Sequence, residues 1–364
     1  MTLAPVLLAF VVALAVAAVA CPGVARLAVA VGVVDRPTAR SVNQRPNIPL
    51  LGGLAVAIGL FVGLSVALLA SRSPEPLRGH LDAVFLGGGL LLALGALDDR
   101  WSLKPRFKLL GQCAAAMIAL LNGFRIEKVT DPVSLAVFVF PEWMVWIVTT
   151  LWIVGITNAI NLMDGLDGCA AGVGLIIAAT LTYVCWQMGL PGGLVLGVAF
   201  VGALLGFLPY NFPPARMFLG DTGALFIGYV LALISLEGFR KVTVLTFVVP
   251  LLALAVPLLD TALSIVRRVR RRRHIFSPDR EHMHHRLLEA AGSQRSAVLS
   301  IYFLTGCFCV IAVSFTRLQG YAAVIFLGAV VVLTIRLLRN LGFFDLSPVG
   351  AAPARSGAGE REKP

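Results

Sequence analysis

The chain has 364 residues, of which 58% are hydrophobic and only 13% charged, and its formal net charge is +11 at pH 7. A water-soluble domain carries about a quarter charged residues, so this inventory cannot cover a solvated surface, and the mean hydropathy of +0.89 points to an all-α, polytopic integral membrane protein. The same figures exclude disorder, collagen, a coiled coil and a disulfide-stapled secreted fold.

A bilayer core takes about 20 apolar residues per helix. Windows of that length give about eleven spans, near 3–23, 49–70, 82–97, 107–123, 143–160, 169–188, 193–209, 222–236, 243–266, 298–316 and 321–338. The first apolar stretch, Leu3 to Ala20, has no Lys or Arg before it. It therefore reads as an uncleaved span rather than a signal peptide. A lipoprotein cleavage site at Cys21 is the rival and lacks the same basic start. The segment 125–142, edged by Pro132 and Pro141, is too short and polar to span and reads as an extracytoplasmic hairpin. The six cysteines show no CxxC pair and read as reduced residues.

Cytoplasmic loops retain Lys and Arg. With the N-terminus outside, the inner loops collect Arg26, Arg36, Arg40, Arg45, Arg100, Lys104, Arg106, Lys108, Arg216 and the basic stretch from Arg267 to Arg295, and the C-terminus lies inside. The run Arg267 to Arg273 reads first as an interfacial anchor, able to hold anionic lipid. Nucleic acid is not expected as a partner, because the positive charge follows membrane topology.

On that orientation four polar clusters fall on the cytoplasmic side. Asp98 and Asp99 close an apolar helix (LLLALGALDDR), and adjacent carboxylates repel unless a cation or base stands between them. Asn158, Asn161 and Asp164 are spaced by three, which aligns them on one helix face, and Asp167 follows between two glycines. Their amide and carboxylate oxygens suit a hard cation. FLGDTG (218–223) opens the eighth span with Asp221 in N-cap position, where a plain cap and a metal or phosphate site are both open. In SPDREHMHHR (277–286), His282, His284 and His285 stand beside Arg286, a cationic set suited to a diphosphate. Zinc is the rival there, without the usual ligand spacing.

These clusters, with RPNIPLLGG (45–53), RFKLLGQ (106–112) and PLLDT (257–261), resemble the polyprenyl-phosphate N-acetylhexosamine-1-phosphate transferases of the glycosyltransferase 4 family. The match is to the WecA-like enzymes and, more distantly, the MraY-like ones. The resemblance implies transfer of N-acetylhexosamine-1-phosphate, foremost GlcNAc-1-phosphate, from a UDP-sugar to undecaprenyl or decaprenyl phosphate, with UMP released. It implies Mg2+, with Mn2+ as a substitute, held by Asp221 with Asn161 beside it. Asp98, Asp99 and Lys108 would be catalytic at the prenyl phosphate, with help from Arg100. Arg45, Asn158, Asp164, Asp167, Phe218, His282, His284, His285 and Arg286 would hold the nucleotide and sugar diphosphate, with Asp35 a weaker candidate. Residues 1–340 would form a single transmembrane catalytic domain of the bacterial cytoplasmic membrane, and 341–364 a disordered cytoplasmic tail. Pairing of two copies is open, with no residue that marks it. The alternatives are a phospho-MurNAc-pentapeptide transferase-like enzyme, which is disfavoured because Met283 interrupts what would be a run of three consecutive histidines, and a transporter or lipid flippase. A transporter keeps its carboxylates near the midplane, where only Asp260 is expected.

Overall fold

A computed structural model describes residues 3–35, 47–71, 81–130, 136–238, 245–272, 283–318 and 321–340. Arg45, His282, the tail 341–364 and the side chains of His284 and His285 lie outside the described residues. The chain is a helical bundle, as its composition requires. In chain order the helices are α1 (Leu3–Ala30), α2 (Gly52–Ala70), α3 (Gly88–Trp101, entered through a π-turn at Ala83–Gly87), α4 (Pro105–Leu121), α5 (Glu142–Met163), α6 (Cys169–Gln187), α7 (Pro191–Asn211) and α8 (Gly220–Gly238). They continue as α9 (Leu245–Ala253), α10 (Ala255–Arg270), α11 (Met283–Ala291), α12 (Gln294–Phe315) and α13 (Tyr321–Asn340).

Seven of these, α1, α2, α5, α6, α7, α8 and α12, are long and apolar enough to cross a membrane. The other four expected spans are helical too, the fourth as the 17-residue α4 and the eleventh as the 20-residue α13. The third carries the π-turn, and the ninth breaks at Leu254 into α9 and α10. Pro257 explains that break: it has no N–H to give the carbonyl of Ala253, and the Cys309 thiol lies 3.9 Å from that oxygen instead. On either side of residues 131–135, β1 (Lys128–Thr130) pairs antiparallel with β2 (Val137–Val139), with Val129 opposite Phe138, as a hairpin requires. All six cysteines are free.

In lipid, apolar burial gives little reason for helices to associate, so small residues that let backbones approach supply dispersion contact instead. Ala9, Ala13 and Ala17 on α1 face Gly59 and Gly63 on α2, where a Cβ at Gly59 would come within 2.7 Å of the Ala13 carbonyl. Gly202 on α7 meets α1 in the same way at Phe10. The α8 helix is the axis of the bundle, buried along almost its whole length by α2, α3, α5 and α6. Its polar first turn, carrying Asp221, therefore points at a place that the surrounding helix ends enclose.

Candidate functional site

At one end of the bundle a cavity of about 600 Å³ is lined by Asp98 and Asp99 from α3, Asp164 and Asp167 from the α5–α6 turn, Phe218 before α8 and Asp221 within it. Three distant segments thus bring five carboxylates to one space. Asp35, Asn211 and Gln294 complete the wall.

The loop before α8 is fixed by backbone pairing. The amide of Phe218 donates to Pro49 O, and those of Gly52 and Gly53 donate to Phe218 O and Leu219 O, so the segment leading into α2 holds the Phe218 loop in place. Gly220 then turns into α8 at φ +70°, a left-handed conformation that glycine adopts without a Cβ penalty. A Cβ there would also press on Asp99 Oδ2 at 2.6 Å.

Asp221 does not cap α8. The cap comes from Asp99, whose Oδ1 accepts from the Asp221 amide at 2.8 Å and whose Oδ2 accepts from the Thr222 amide at 3.0 Å and the Thr222 hydroxyl at 2.6 Å. The sequence reading missed this because the cap lies 122 residues away. Gly95 makes it reachable, since its missing side chain lets α3 lie against the first turn of α8. Asp99 thereby anchors the turn that carries Asp221, and both of its oxygens are engaged.

Lys108, near the start of α4, lies between the other two carboxylates, 2.7 Å from Asp98 Oδ2 and 2.6 Å from Asp221 Oδ2. Asp98 Oδ1 accepts from the Leu103 amide at 2.6 Å. Asn161 Nδ2 donates to Asp221 Oδ1 at 2.6 Å. Asn158 is placed differently from its expected nucleotide role. It exchanges hydrogen bonds with Gln112 (Asn158 Nδ2 to Oε1 2.6 Å, Gln112 Nε2 to Oδ1 3.2 Å) and donates to Val154 O. It ties α5 to α4 and does not line the cavity.

Asp167 is buried, and its Oδ2 accepts from the Ala215 amide at 2.9 Å, joining the α5–α6 turn to the loop before Phe218. Burial, then the charges of Asp221, Asp99 and Asp167, hold the Asp164 carboxyl well above the ordinary carboxylate range. One lysine beside six carboxylates leaves a surplus of negative charge. Among the described residues no three His, Cys, Asp or Glu side chains form a ready-made metal centre. Mg2+ does not need one: it takes one or two carboxylates and completes its shell with waters and substrate phosphates. Hard oxygens in a polar cavity fit that ion.

Arg286 lies in α11, part-buried, and does not line the cavity. The α11 start is nevertheless tethered, because the Met283 amide donates to Asp260 Oδ1 at 2.7 Å. Asp260, Ser264 and Arg267 are all buried on one face of α10, so Arg267 is not the lipid-facing anchor expected of the basic run. Asn211, Gln294, Gln112 and Thr222 are site or supporting residues that sequence reasoning missed. Asn211 ends an apolar helix with a lone amide, a faint signal, whereas Gln294 follows a Gly-Ser turn that reads as an ordinary helix start.

Comparison with known proteins finds a family and relatives for the chain. The profile of glycosyl transferase family 4 matches residues 81–239. The probable undecaprenyl-phosphate N-acetylglucosaminyl 1-phosphate transferase of Bacillus subtilis is 38% identical over 309 residues, 85% of this chain and 84% of the relative. The decaprenyl-phosphate N-acetylglucosaminephosphotransferase of Mycolicibacterium smegmatis is 38% identical over 350 residues, 86% of this chain and 84% of the relative. The undecaprenyl-phosphate alpha-N-acetylglucosaminyl 1-phosphate transferase of Escherichia coli K12 is 27% identical over 287 residues, 76% and 74% of the two chains.

Proposed function

The chain belongs to glycosyl transferase family 4, among the polyprenyl-phosphate N-acetylglucosamine-1-phosphate transferases, and from that premise we propose that it transfers GlcNAc-1-phosphate from UDP-N-acetylglucosamine to undecaprenyl or decaprenyl phosphate. The observation that carries this reading is the cavity at one end of the bundle lined by six carboxylates and Phe218, with Lys108 paired to two of those carboxylates. A site at a helix end suits one substrate whose phosphate sits at headgroup level and another that arrives from water.

In the reaction an oxygen of the prenyl phosphate attacks the β-phosphorus of the nucleotide sugar. The bond from that phosphorus to the bridging oxygen breaks, and UMP leaves with the oxygen. Phosphoryl transfer asks the protein mainly to position groups and offset charge. Lys108 presents a mobile point charge to a phosphate oxygen, with Asp98 holding it on the acceptor side. Asp99 fixes the α8 turn so that Asp221 keeps its place. Phe218 offers its ring to the uracil, with Asp164 and Asp167 on the nucleotide side, and His282, His284, His285 and Arg286 meet the sugar diphosphate. Asp221 and Asn161 would hold Mg2+, which when bound offsets charge building on the phosphates. The Lys and Arg distribution supports a multi-pass protein of the bacterial cytoplasmic membrane with this cavity cytoplasmic.

The test is UMP release by the purified protein in detergent from a panel of UDP-N-acetylhexosamines with undecaprenyl phosphate. UMP formed from UDP-N-acetylglucosamine and suppressed by EDTA is expected. A folded protein that releases no UMP from any donor would refute the reading, and release untouched by EDTA would remove its metal.

A further inference from the structure

The carboxylate cavity lies at the N-terminal ends of α6 and α12, and the opposite ends of the same helices enclose a separate hollow. Between them runs a groove of about 590 Å³ lined by Leu175, Ile176, Gly306 and Val310, among others. It opens into a cup of about 810 Å³ formed by Trp186, Gln187, Thr316 and Arg317, and Tyr183 belongs to both walls.

The two parts differ in chemistry. Most of the inner groove is apolar, and Thr180 in its wall spends its hydroxyl on Ile176 O at 2.9 Å, which leaves Ser314 and Tyr183 as its polar residues, both on the side of the cup. At Gly306 nothing stands within 4 Å of where a Cβ would be, which leaves the slot open. In the cup, Gln187 Nε2 donates to the Tyr183 hydroxyl at 2.8 Å, and the Thr316 hydroxyl lies 3.3 Å from Gln187 Oε1, so the rim is preformed. Trp186 is exposed beside it. Arg317 is exposed too, and among the described residues no carboxylate pairs with it.

We propose that this hollow binds an anionic membrane phospholipid, with an acyl chain between α6 and α12 and the phosphate at Arg317. The dimensions agree. From Gly306 to the end of α12 at Phe315 the helix rises about 13.5 Å at about 1.5 Å per residue, with Arg317 just beyond, close to one leaflet's share of a hydrocarbon core about 30 Å thick. Trp and Tyr at span ends mark the headgroup level, and an arginine there keeps its charge in the polar layer while its stem lies along apolar surface. A zwitterionic headgroup brings the same phosphate together with a cation of its own, which offsets part of its attraction to Arg317. The groove does not touch the transferase site, so the inference does not depend on the reaction.

The experiment is native mass spectrometry of the full chain purified in detergent with equimolar phosphatidylglycerol and phosphatidylcholine. Retention of one phosphatidylglycerol per chain is expected, favoured about fivefold, the scale of one basic residue at a charged interface. Arg317→Gln should bring the two lipids to parity. Gly306→Leu, which fills open space and favours helix, should reduce retention of both about fivefold, with the heat-unfolding midpoint as the check on folding. Unchanged preference in Arg317→Gln, or unchanged retention in a folded Gly306→Leu, would overturn the proposal. So would a dimer in the wild type that Gly306→Leu dissolves, because a second copy would then occupy the groove.

Discussion

Asp98 and Asp99 are neighbours in the chain with different duties. Asp99 spends both oxygens on the first turn of α8, whereas Asp98 shares Lys108 with Asp221. Asp99→Ala should therefore cost stability as well as turnover, by about 0.5–2 kcal/mol for a lost helix cap, read as a lower unfolding midpoint. Asp221→Asn should abolish turnover without that loss, since it removes a charge from a crowded set of carboxylates. Equal midpoints for Asp99→Ala and the wild type would deny Asp99 its capping role. Asp164 bears on pH. Its carboxyl is held above the ordinary value, so the folded state keeps a proton that the unfolded chain gives up once pH exceeds about 3.9. Ionisation then opposes folding, increasingly so up to the folded pKa. Asp164→Asn should raise the unfolding midpoint at pH 8 and leave it nearly unchanged at pH 4 in metal-free buffer; an equal shift at both would refute the assignment.

At the scale of elements, α11 carries the histidine motif and is moored at its N-terminus by Asp260 of α10. An amide left without its acceptor in a buried place costs about 1–3 kcal/mol, enough to release a nine-residue helix. Asp260→Leu should raise the KM for the nucleotide sugar several-fold with a smaller change in kcat, and Asp260→Asn, which keeps an acceptor oxygen, should restore it. Indistinguishable kinetics in the two variants would show that α11 is held by other contacts. PLLDT was legible in sequence as a polar interruption of an apolar span; its partner, the amide of Met283, was not, because the spacing of side chains says nothing of a backbone group on another helix.

Across the whole molecule, α1, α2 and α7 approach through glycine and alanine. Gly59→Leu would force a side chain into the Ala13 carbonyl, an overpacking that costs about 1–3 kcal/mol at least. A fall in the yield of monodisperse protein is expected, while Gly306→Leu, at open space, should leave yield intact. Helical content, the hairpin at 128–139 and the convergence of the DD, NLMDGLD and FLGD segments were all legible as patterns of apolarity and polar clusters. Asn158 shows where such reading stops: its spacing matched Asn161 and Asp164, yet a neighbouring helix supplied Gln112 and turned it to structural use.

By itself the sequence determined that the chain is membrane-embedded, where its helices run and which residue types gather at one end of them, because hydropathy and local spacing act along the chain. The tertiary structure decided which carboxylate caps α8, that Lys108 stands between Asp98 and Asp221, that Arg267 is buried, and that Gln294 and Asn211 reach the cavity. Each of those depends on the distance between helices, and that distance is set by glycines whose effect appears only when two backbones meet.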